Sequence, residues 1–353
     1  MRIQQISAHY PNWQAVGGWR PRLWQIVVRV ESDTGFVGYG YGGGGEASQP
    51  IVNGHFRELL MGRGLESVDD IAAIWDDLYF ASIPYGRRGV GVMALSGVDL
   101  ALWDLLGKAT GRPVVDLLGG LARPRVRAYA SGGDPEWFAQ MGFTACKFSH
   151  KWTGDPAEYE RDYDRAVASA EAARQHLGGE ALVMADCYLS WDAAVAEEMG
   201  RRLAPYNLYW FEDILTPDLL AEQAAVRPRI KPVLLAGGEH EFTQYGFGEI
   251  ARANALDIWQ PDVTWCGGVT ATLRIIELAK QNGARVVLHR GGEVWGLHII
   301  AAGLCDNLGE LVLGHRDASQ ENLWLGAPQA VDGHLAVSDA PGFGVQIDER
   351  LMG

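Results

Sequence analysis

Cysteine is scarce in this sequence. Its 353 residues include four cysteines, far apart and without a CxxC pair: Cys146, Cys187, Cys266 and Cys305. A disulfide framework and a thiolate zinc site both need closer or repeated spacing, so neither is predicted. The N-terminal residues carry no secretory apolar segment, and we therefore expect reduced thiols in a cytoplasmic protein.

Positive charge is also in short supply. Lys and Arg number 30 against 44 Asp and Glu, which gives a formal net charge of −14. Nucleic acids and anionic membranes select clustered Lys and Arg, so neither is expected as a partner. Uninterrupted apolar runs stay below the roughly 18 residues of a membrane-spanning helix. An acidic small molecule is not excluded, because a bound cation or local basic residues reverse the field inside one cleft.

What the sequence does contain is a repeat of short apolar runs, each ending on a polar residue. The runs are LVMAD, LYWFE, VLLAGGE, DIWQPD and RVVLH, ending at Asp186, Glu212, Glu239, Asp262 and His289. Their spacing of about 25 residues suits one strand, one helix and two loops. Apolar runs without alternation are typical of parallel strands buried on both faces. The repeat predicts an α/β fold, part of a (β/α)8 barrel, whose C-terminal strand ends line one active-site mouth.

The chain is longer than a barrel of this kind requires, so we expect three parts. Residues 1–115 predict an N-terminal α+β capping domain and residues 116–315 the barrel. Residues 316–353 are too short to bury a core alone, and we expect them to fold back onto the capping domain.

Within the capping domain, three features are predicted. A β-hairpin turns through Asp33-Thr34-Gly35. A helix begins near Ser48, whose hydroxyl can cap it. Two further helices begin near Val68 and Gly91, where apolar residues recur at helical spacing.

Three acidic residues end consecutive predicted strands: Asp186, Glu212 and Glu239. Neighbouring strands lie about 4.8 Å apart, so these carboxylates would converge. Oxygen ligands without a thiol suit a hard cation such as Mg2+. The alternative for any one of them is a structural carboxylate in an ion pair, and it weakens for three in register.

Asp262 and His289 end the next two strands. A carboxylate bonded to one imidazole nitrogen orients the ring and raises its basicity, so the other nitrogen can act as a general base. The alternative is a histidine satisfied within the core. The position of His289 at a strand end beside an aspartate favours the functional interpretation.

Other candidates are less tightly specified. Lys147 lies near the end of an earlier strand and could hold a substrate carboxylate or take a proton, whereas Lys151 falls in the loop beyond it. His240 follows Glu239 and could bind a substrate oxygen or support a neighbouring ligand. Glu310, on the last predicted strand, is a weaker candidate of the same kind.

Two features precede the barrel. The glycine run at residues 42–45 lacks both GxxxxGK[ST] and the context of a dinucleotide fingerprint, and predicts a lid over the barrel mouth rather than a phosphate loop. Arg20 and Arg22 could clamp a substrate carboxylate bidentately, or could be exposed surface residues.

Taken together, these stretches resemble the enolase superfamily, specifically its mandelate racemase subgroup and, within it, rhamnonate dehydratase-like sugar-acid dehydratases. The resemblance covers most of the chain from about Gly35 onward. It is carried by PYGRRGVGVMALSGVDLALWDLLGK, APYNLYWFED, GGEHEF, DIWQPDVTWCGGVT and PGFGVQID. It implies a modified TIM barrel, (β/α)7β, with an α+β capping domain that the C-terminal tail completes.

The resemblance also implies roles for individual residues. Mg2+ is bound by Asp186, Glu212 and Glu239. His289 is the base, Asp262 raises its basicity, and Glu310 stabilises the intermediate. Members of this superfamily use a Lys or His base beside Mg2+ that stabilises an enediolate. Relatives commonly form even-numbered assemblies, so a homo-oligomer from dimer to octamer is expected.

The sequence departs from the family pattern at two points. The two-lysine KxK motif of the racemases is here Lys147-Phe148-Ser149, which removes the second base and favours one-base chemistry. The family's VVPH followed by Gly-Ser-Ser is here VVLH followed by Arg290-Gly291-Gly292.

The favoured function is Mg2+-dependent dehydration of an aldonic-type sugar acid. His289 removes the proton α to the carboxylate and the β-hydroxyl leaves, giving a 2-keto-3-deoxy acid. One alternative is an epimerase, racemase or cycloisomerase of the same superfamily, with Lys147 or Lys151 as the second base. Another is a barrel that binds a sugar acid without converting it.

Overall fold

The N-terminal part of the chain forms a small antiparallel sheet. A computed structural model describes residues 1–13, 23–314, 316 and 323–352. The sheet has the order β1-β2-β3. Its strands are β1 (Ile3–His9), β2 (Ile26–Ser32) and β3 (Val37–Gly42). The predicted hairpin is confirmed, because β2 and β3 pair antiparallel around Gly35, whereas β1 was not predicted.

Helices follow the sheet. A helical stretch of changing type comprises a 3-10 turn (Gly45–Ser48), a π-helix (Ile51–Phe56) and α1 (Arg57–Leu60). The next helices are α2 (Val68–Gly86), α3 (Val90–Thr110) and α4 (Val114–Leu117). Ser67 and Asp70 form a capping box at the start of α2.

The prediction that Ser48 caps a helix is wrong. Its hydroxyl is buried and donates to the carbonyl oxygen of Gly43 at 2.6 Å. It therefore stabilises the turn before the 3-10 helix rather than a free helix end. A side chain that bonds backwards along the chain is not available to the amides ahead of it.

Helix α3 is the core helix of the N-terminal part. It is long and apolar enough to cross a membrane by length and composition, but 89% of its apolar window is buried. It lies directly on β3, where Gly38, Gly40 and Gly42 leave room for its backbone. Burial within the protein accounts for its composition.

Residues 126–314 form a barrel of eight parallel strands that alternate with seven helices. The strands are β4 (Val126–Gly132), β5 (Ala145–Ser149), β6 (Leu182–Asp186), β7 (Trp210–Glu212), β8 (Leu234–Gly237), β9 (Ile258–Trp259), β10 (Arg285–Val286) and β11 (Gly309–Gly314). The helices are α5 (Pro135–Gln140), α6 (Tyr159–Leu177), α7 (Ala193–Leu203), α8 (Leu220–Val226), α9 (Thr243–Ala253), α10 (Gly268–Gln281) and α11 (Val294–Ala301).

The sheet order is β10-β9-β8-β7-β6-β5-β4-β11. Its two edges are joined by backbone hydrogen bonds from Asp306 to Val286 (3.0 Å) and from Gly292 to Glu310 (2.9 Å). The predicted (β/α)7β architecture is confirmed, because seven strand-helix units precede the final strand.

The barrel interior is filled by a separate apolar cluster with about one residue from each strand. Its buried members are Tyr129, Ala145, Met184, Trp210, Ala236, Ile258, Val287 and Leu308. These side chains close the barrel below the strand ends, as expected for a packed barrel core. Residues two positions apart on a strand share a face, so the polar residues two positions beyond Ala145, Met184 and Val287, which are Lys147, Asp186 and His289, lie on the same side and line the mouth.

The C-terminal residues contact both other parts of the chain. Strands β12 (Trp324–Leu325) and β14 (Gln346–Ile347) pair with each other. Strand β13 (His334–Leu335) adds to barrel strand β4, an attachment that was not predicted. The amide of Phe343 donates to Asp104 of α3 at 3.0 Å. That hydrogen bond is a contact of the kind expected between the tail and the N-terminal part.

Candidate active site

The C-terminal ends of the barrel strands open onto a cavity of about 380 Å3. It is lined by residues at or just beyond the ends of six different strands, as the repeat predicts. The predicted residues among them are Lys147, Asp186, Glu239, His289 and Glu310. Residues more than 160 positions apart in the sequence therefore face one space.

Lys147 lies among three carboxylates, of which Asp186 and Glu310 line the cavity, whereas Glu212 is buried and does not line it. Asp186 and Glu212 are register neighbours on β6 and β7. The ammonium of Lys147 bonds to Glu212, lies 2.9 Å from Glu310 Oε1, and lies 3.6 Å from Asp186 Oδ2. Its side chain is 3% exposed. Lys147 is therefore the shared counter-ion of these carboxylates.

Glu212 is held on both oxygens. One oxygen accepts from Lys147, and the other accepts from Trp210 Nε1 (3.0 Å) and Gln260 Nε2 (2.8 Å). Burial raises the pKa of Glu212 to about 8, although the Lys147 ammonium opposes that rise. Burial likewise raises the pKa of Asp186 despite Lys147. Both carboxylates therefore lack enough positive charge around them.

A second cluster lies beside the first. Ligand atoms of Asp213, Glu239 and His240 lie within 4.8 Å of one another. Burial, followed by repulsion from Glu239 and Glu212, raises the pKa of Asp213 well above its ordinary value. Asp213 was not singled out from the sequence, where it appears only as the second acid of YWFED. Its φ of +49°, unusual for a non-glycine residue, is a structural signal that the sequence does not carry.

The donor chemistry fits a hard divalent cation. Every carboxylate in the two clusters supplies oxygen, and the cysteine nearby, Cys187, is buried with a pKa that burial raises well above its ordinary value. The raised pKa values of Asp186, Glu212 and Asp213 are those of a site with surplus negative charge, which a cation would relieve. Glu239 lies in the second cluster, yet its charge also raises the pKa values of Asp186 and Glu212, so the predicted trio stays a prediction.

The Asp262–His289 pair has the predicted geometry. His289 Nδ1 and Asp262 Oδ2 are 2.7 Å apart, and His289 Nε2 lies 3.3 Å from Glu239 Oε2. Burial by itself lowers the pKa of His289, but Glu239 and Asp262 outweigh it and raise that pKa to about 10. A cation held by Glu239 would oppose this rise, because two positive charges would then share one carboxylate.

Arg290, which follows the histidine, was not predicted. Its Nε and Nη2 lie 2.9 and 2.7 Å from Asp262 Oδ2. Burial opposes ionisation of Asp262, yet Arg290 and His289 hold its pKa well below the usual range. One departure in the sequence points to Arg290, which stands where the family has the glycine of its Gly-Ser-Ser run.

Glu310 is buried at the base of the cavity. It accepts from Ser131 Oγ and, at 2.8 Å, from the backbone amide of Arg290. Burial raises the pKa of Glu310, but Lys147 and His289 more than offset this and bring that pKa to about 2. Glu310 is therefore an ionised acceptor, which suits holding a substrate hydroxyl better than donating a proton.

The remaining predicted residues lie outside the cavity lining or outside the described chain. His240 is half-exposed and stacks on Trp265, whose ring centroid is 6.1 Å away. Lys151 is exposed and is not among the residues that line the cavity. Arg20 and Arg22 lie outside the described residues, so their predicted clamp stays a prediction.

Ser149 occupies the position of the missing second lysine. Its hydroxyl lies 3.1 Å from the phenol oxygen of Tyr188, and both residues line the cavity. A serine hydroxyl offers no base near neutral pH. His150, next in the chain, is buried and bonds to the carbonyl oxygen of Asp162 at 2.8 Å, so it supports the loop.

The glycine run lies beside the cavity. A β-carbon on Gly43 would be 2.8 Å from Cδ1 of Trp265, which lines the cavity. Any larger residue at this position would push that ring. The run therefore packs against a residue that lines the cavity, and its role as a lid over the barrel mouth stays a prediction.

Both main parts of the chain are similar to known proteins. A family model described as mandelate racemase / muconate lactonizing enzyme, N-terminal domain, matches residues 7–119, and one described as enolase C-terminal domain-like matches residues 135–351. An L-rhamnonate dehydratase of Saccharopolyspora erythraea is 35% identical over 335 residues, covering 93% of this chain and 84% of the relative.

Solved structures of the same family have a similar fold. Rhamnonate dehydratase from Gibberella zeae complexed with Mg is 27% identical with a TM-score of 0.89, covering 99% of this chain and 95% of that one. The 3,6-anhydro-D-galactonate cycloisomerase from Zobellia galactanivorans is 25% identical with a TM-score of 0.84, covering 100% of both chains. This chain therefore belongs to the enolase superfamily, in its mandelate racemase / muconate lactonizing enzyme family.

Proposed function

We propose that this protein is a Mg2+-dependent dehydratase of an aldonic-type sugar acid. The observation that carries the proposal is the Asp262–His289 pair, in which the second ring nitrogen of His289, Nε2, lies 3.3 Å from Glu239 Oε2 at a carboxylate-lined cavity. The 35% identity to an L-rhamnonate dehydratase over 93% of this chain supports a sugar acid as the substrate class.

We propose Asp186, Glu212 and Glu239 as the residues that hold Mg2+, with Asp213 beside Glu239 as a further oxygen donor. A bound Mg2+ supplies positive charge next to the substrate carboxylate, which makes the α-proton more acidic. The excess of buried carboxylates over buried cations supports this assignment.

The chain's own residues have separate tasks in this reaction. His289 Nε2 takes the α-proton, and Asp262 holds the ring by Nδ1. Lys147 provides a buried positive charge for the substrate carboxylate. Glu310, ionised and bonded to Ser131, accepts from a substrate hydroxyl.

The reaction balances without an oxidant or reductant. Loss of the C2 proton and of the C3 hydroxyl as water leaves an enol, which tautomerises to the 2-keto-3-deoxy acid. The protonated His289 can return its proton to the leaving hydroxyl when both groups lie on one face. Ser149 on the other side carries no titratable group, which supports one-base elimination over racemisation.

The test is a product assay. L-rhamnonate and a panel of other aldonic and aldaric acids are incubated with the protein and Mg2+, and 2-keto-3-deoxy acids are measured by a colorimetric assay and mass spectrometry. We expect at least one acid to be dehydrated, and EDTA to stop the reaction. If every acid is recovered unchanged, the protein is a binding barrel and the proposed function fails.

Replacing the proposed base gives a sharper prediction. His289→Asn is expected to lower kcat by roughly 10^2 to 10^4-fold, the usual contribution of a general base. Mg2+ binding, measured by calorimetry, persists because the carboxylates remain. His176→Asn, at an exposed position on α6, is the control. Turnover by His289→Asn near the wild-type rate would exclude His289 as the base.

One alternative has a specific observation in its favour. The structural match to a 3,6-anhydro-D-galactonate cycloisomerase supports isomerisation of a related acid. In that case substrate recovered from D2O carries deuterium at C2 while no 2-keto-3-deoxy product forms. The absence of a second lysine at Ser149 argues for dehydration.

Further expectations stay proposals. We propose domain boundaries at 1–115, 116–315 and 316–353, a homo-oligomer and a cytoplasmic location. Four buried cysteines, free of disulfides, are consistent with a reducing compartment. Gel filtration with light scattering tests the assembly.

A further inference from the structure

Arg290 adopts an unusual backbone conformation for a residue with its side chain. Its φ is +50°, in the left-handed region that favours glycine. The side chain is 3% exposed although it carries a full positive charge. Burial of the charge and the positive φ both cost free energy, so the contacts of the Arg290 side chain must offset that cost.

The guanidinium fixes the orientation of Asp262. Nε and Nη2 both bond to Oδ2, the oxygen that also bonds to His289 Nδ1. The other oxygen, Oδ1, accepts from the amide and the hydroxyl of Thr264, each at 2.7 Å. With both oxygens held, the carboxylate cannot rotate about its side-chain bonds without breaking several hydrogen bonds.

Arg290 also connects the barrel to the N-terminal sheet. Nη1 lies 3.0 Å from Oε1 of Gln25, the residue before β2. The side-chain nitrogen Nε2 of Gln25 donates to Thr264 Oγ1 at 3.0 Å, and Arg290 Nη2 lies 2.6 Å from the same oxygen. Gln25, Thr264, Arg290 and Asp262 therefore form one buried network that spans both parts.

The guanidinium does not serve as a substrate anchor. All three of its nitrogens already bond to protein groups. Its plane lies over Trp265, 5.1 Å from the ring centroid, which fixes it further. A carboxylate of the substrate would have to displace Asp262 or Gln25 to reach it.

We propose that Arg290 is a positioning residue: it locks Asp262 so that the His289 ring stays aimed into the cavity, and through Gln25 it makes that alignment depend on the seating of the N-terminal sheet. The expected effect of Arg290 on kcat rests on the proposed dehydratase function. The fixed orientation of Asp262 and His289 does not rest on that function, because it depends only on the protein's own hydrogen bonds.

Arg290→Lys is the first test. Lysine keeps the charge but has one nitrogen instead of a planar fork, so it cannot place donors at the three positions from which Nε, Nη1 and Nη2 bond to Asp262, Gln25 and Thr264. We expect kcat to fall roughly 10 to 100-fold, the effect of a small misalignment of a catalytic group, with KM nearly unchanged. A wild-type kcat for Arg290→Lys overturns the proposal.

Arg290→Gly removes the side chain and relieves the backbone conformation, so folding is protected. Millimolar guanidinium is expected to restore much of the lost kcat, and the same concentration of ammonium is not. Equal effects of the two ions, or no effect of guanidinium, would contradict a geometric role for the fork.

Gln25→Met tests the connection to the N-terminal sheet. It leaves a side chain of similar size without the oxygen that Arg290 uses, so a smaller fall in kcat is expected. Arg274→Lys is the matched control. Arg274 makes a bidentate pair with Asp76 of α2 across the same two parts, but does not line the cavity. A fall in the control equal to that of Arg290→Lys would make the effect merely structural.

Proton NMR provides the readout that does not depend on turnover. The proton shared by His289 Nδ1 and Asp262 is expected as a downfield resonance that His289→Asn removes. It should stay sharp in Arg274→Lys and broaden in Arg290→Lys. If no acid is dehydrated but the resonance is sharp in Arg274→Lys and broad in Arg290→Lys, the proposed function fails and the positioning role stands. If the wild type dehydrates an acid and the Arg290→Lys resonance stays sharp, only the positioning role fails.

Discussion

Lys147 decides the charge balance of the site. A single buried ammonium neutralises part of the charge on Asp186, Glu212 and Glu310. Burial lowers the pKa of Lys147, but Glu212 and Glu310 reverse this and raise it well above the ordinary value. The lysine is therefore charged, and the neighbouring carboxylates depend on it.

Lys147→Met is expected to lower the free energy of unfolding in EDTA by about 3 to 5 kcal/mol, because breaking a buried ion pair leaves uncompensated charge. Urea denaturation measures the change. Lys151→Met, four residues on and exposed, is the control and should cost no more than about 0.5 kcal/mol. Equal losses in the two variants would mean that Lys147 is not the counter-ion.

At the scale of single residues, the sequence predicted Asp186, Glu239, Asp262 and His289 at strand ends. Asp186 is the last residue of β6, and the other three follow β8, β9 and β10 by two or three residues. It did not show that Lys147 pairs with Glu212. The two-residue period of a strand determines which face a side chain leaves from. Which partner a long side chain reaches depends on its neighbours across the barrel.

Elements meet most closely where α3 lies on β3. A β-carbon on Gly40 would be 2.0 Å from the carbonyl oxygen of Gly97 and 2.5 Å from the amide of Ala101. The alternating glycines of VGYGYG therefore let the helix backbone rest on the strand. The sequence showed the alternation, but only the packing shows its purpose.

Gly40→Ala is expected to destabilise the fold by about 3 kcal/mol, the upper range for overpacking where backbone atoms cannot yield. Thermal unfolding by circular dichroism measures it. Gly54→Ala is the matched control, since nothing lies within 4 Å of a β-carbon there. A Tm for Gly40→Ala equal to the control's would show that α3 can move off the strand.

The whole molecule is held together where its three parts meet. His298 of α11 accepts from the amide of Val115 at 3.1 Å, and its other nitrogen lies 3.4 Å from the carbonyl oxygen of Phe343 in the tail. Burial lowers the pKa of His298 from 6.5 to about 4. The folded protein therefore keeps this imidazole neutral at a pH where the unfolded chain has protonated it.

His298 and Asp99 make stability depend on pH in opposite directions. Stability from neutral His298 is complete above pH 6.5 and is lost as pH falls to about 4, a difference of about 3 kcal/mol. Burial raises the pKa of Asp99 to about 7, so its contribution has the opposite sign and is lost as pH rises from 3.8. A comparison of variants at His298 cancels the Asp99 contribution.

His298→Asn keeps an acceptor for Val115 but does not titrate. We expect the wild type's advantage over this variant, from urea unfolding at pH 7 and 4.5, to shrink by about 2 kcal/mol at the lower pH, where part of the effect is still to come. His176→Asn should keep the wild-type pH dependence, because the residue is exposed. If the difference in unfolding free energy between the wild type and His298→Asn is the same at both pH values, His298 does not titrate in this range.

The sequence by itself determined the barrel, its strand order and the residues at the strand ends, because apolar period and spacing are local properties of the chain. Only the tertiary structure decided which carboxylate meets which cation, that Asp213 joins Glu239, and that Arg290 reaches Gln25. Those contacts join residues up to 265 positions apart. They depend on side-chain direction and on how the N-terminal sheet sits over the barrel, neither of which a local pattern encodes.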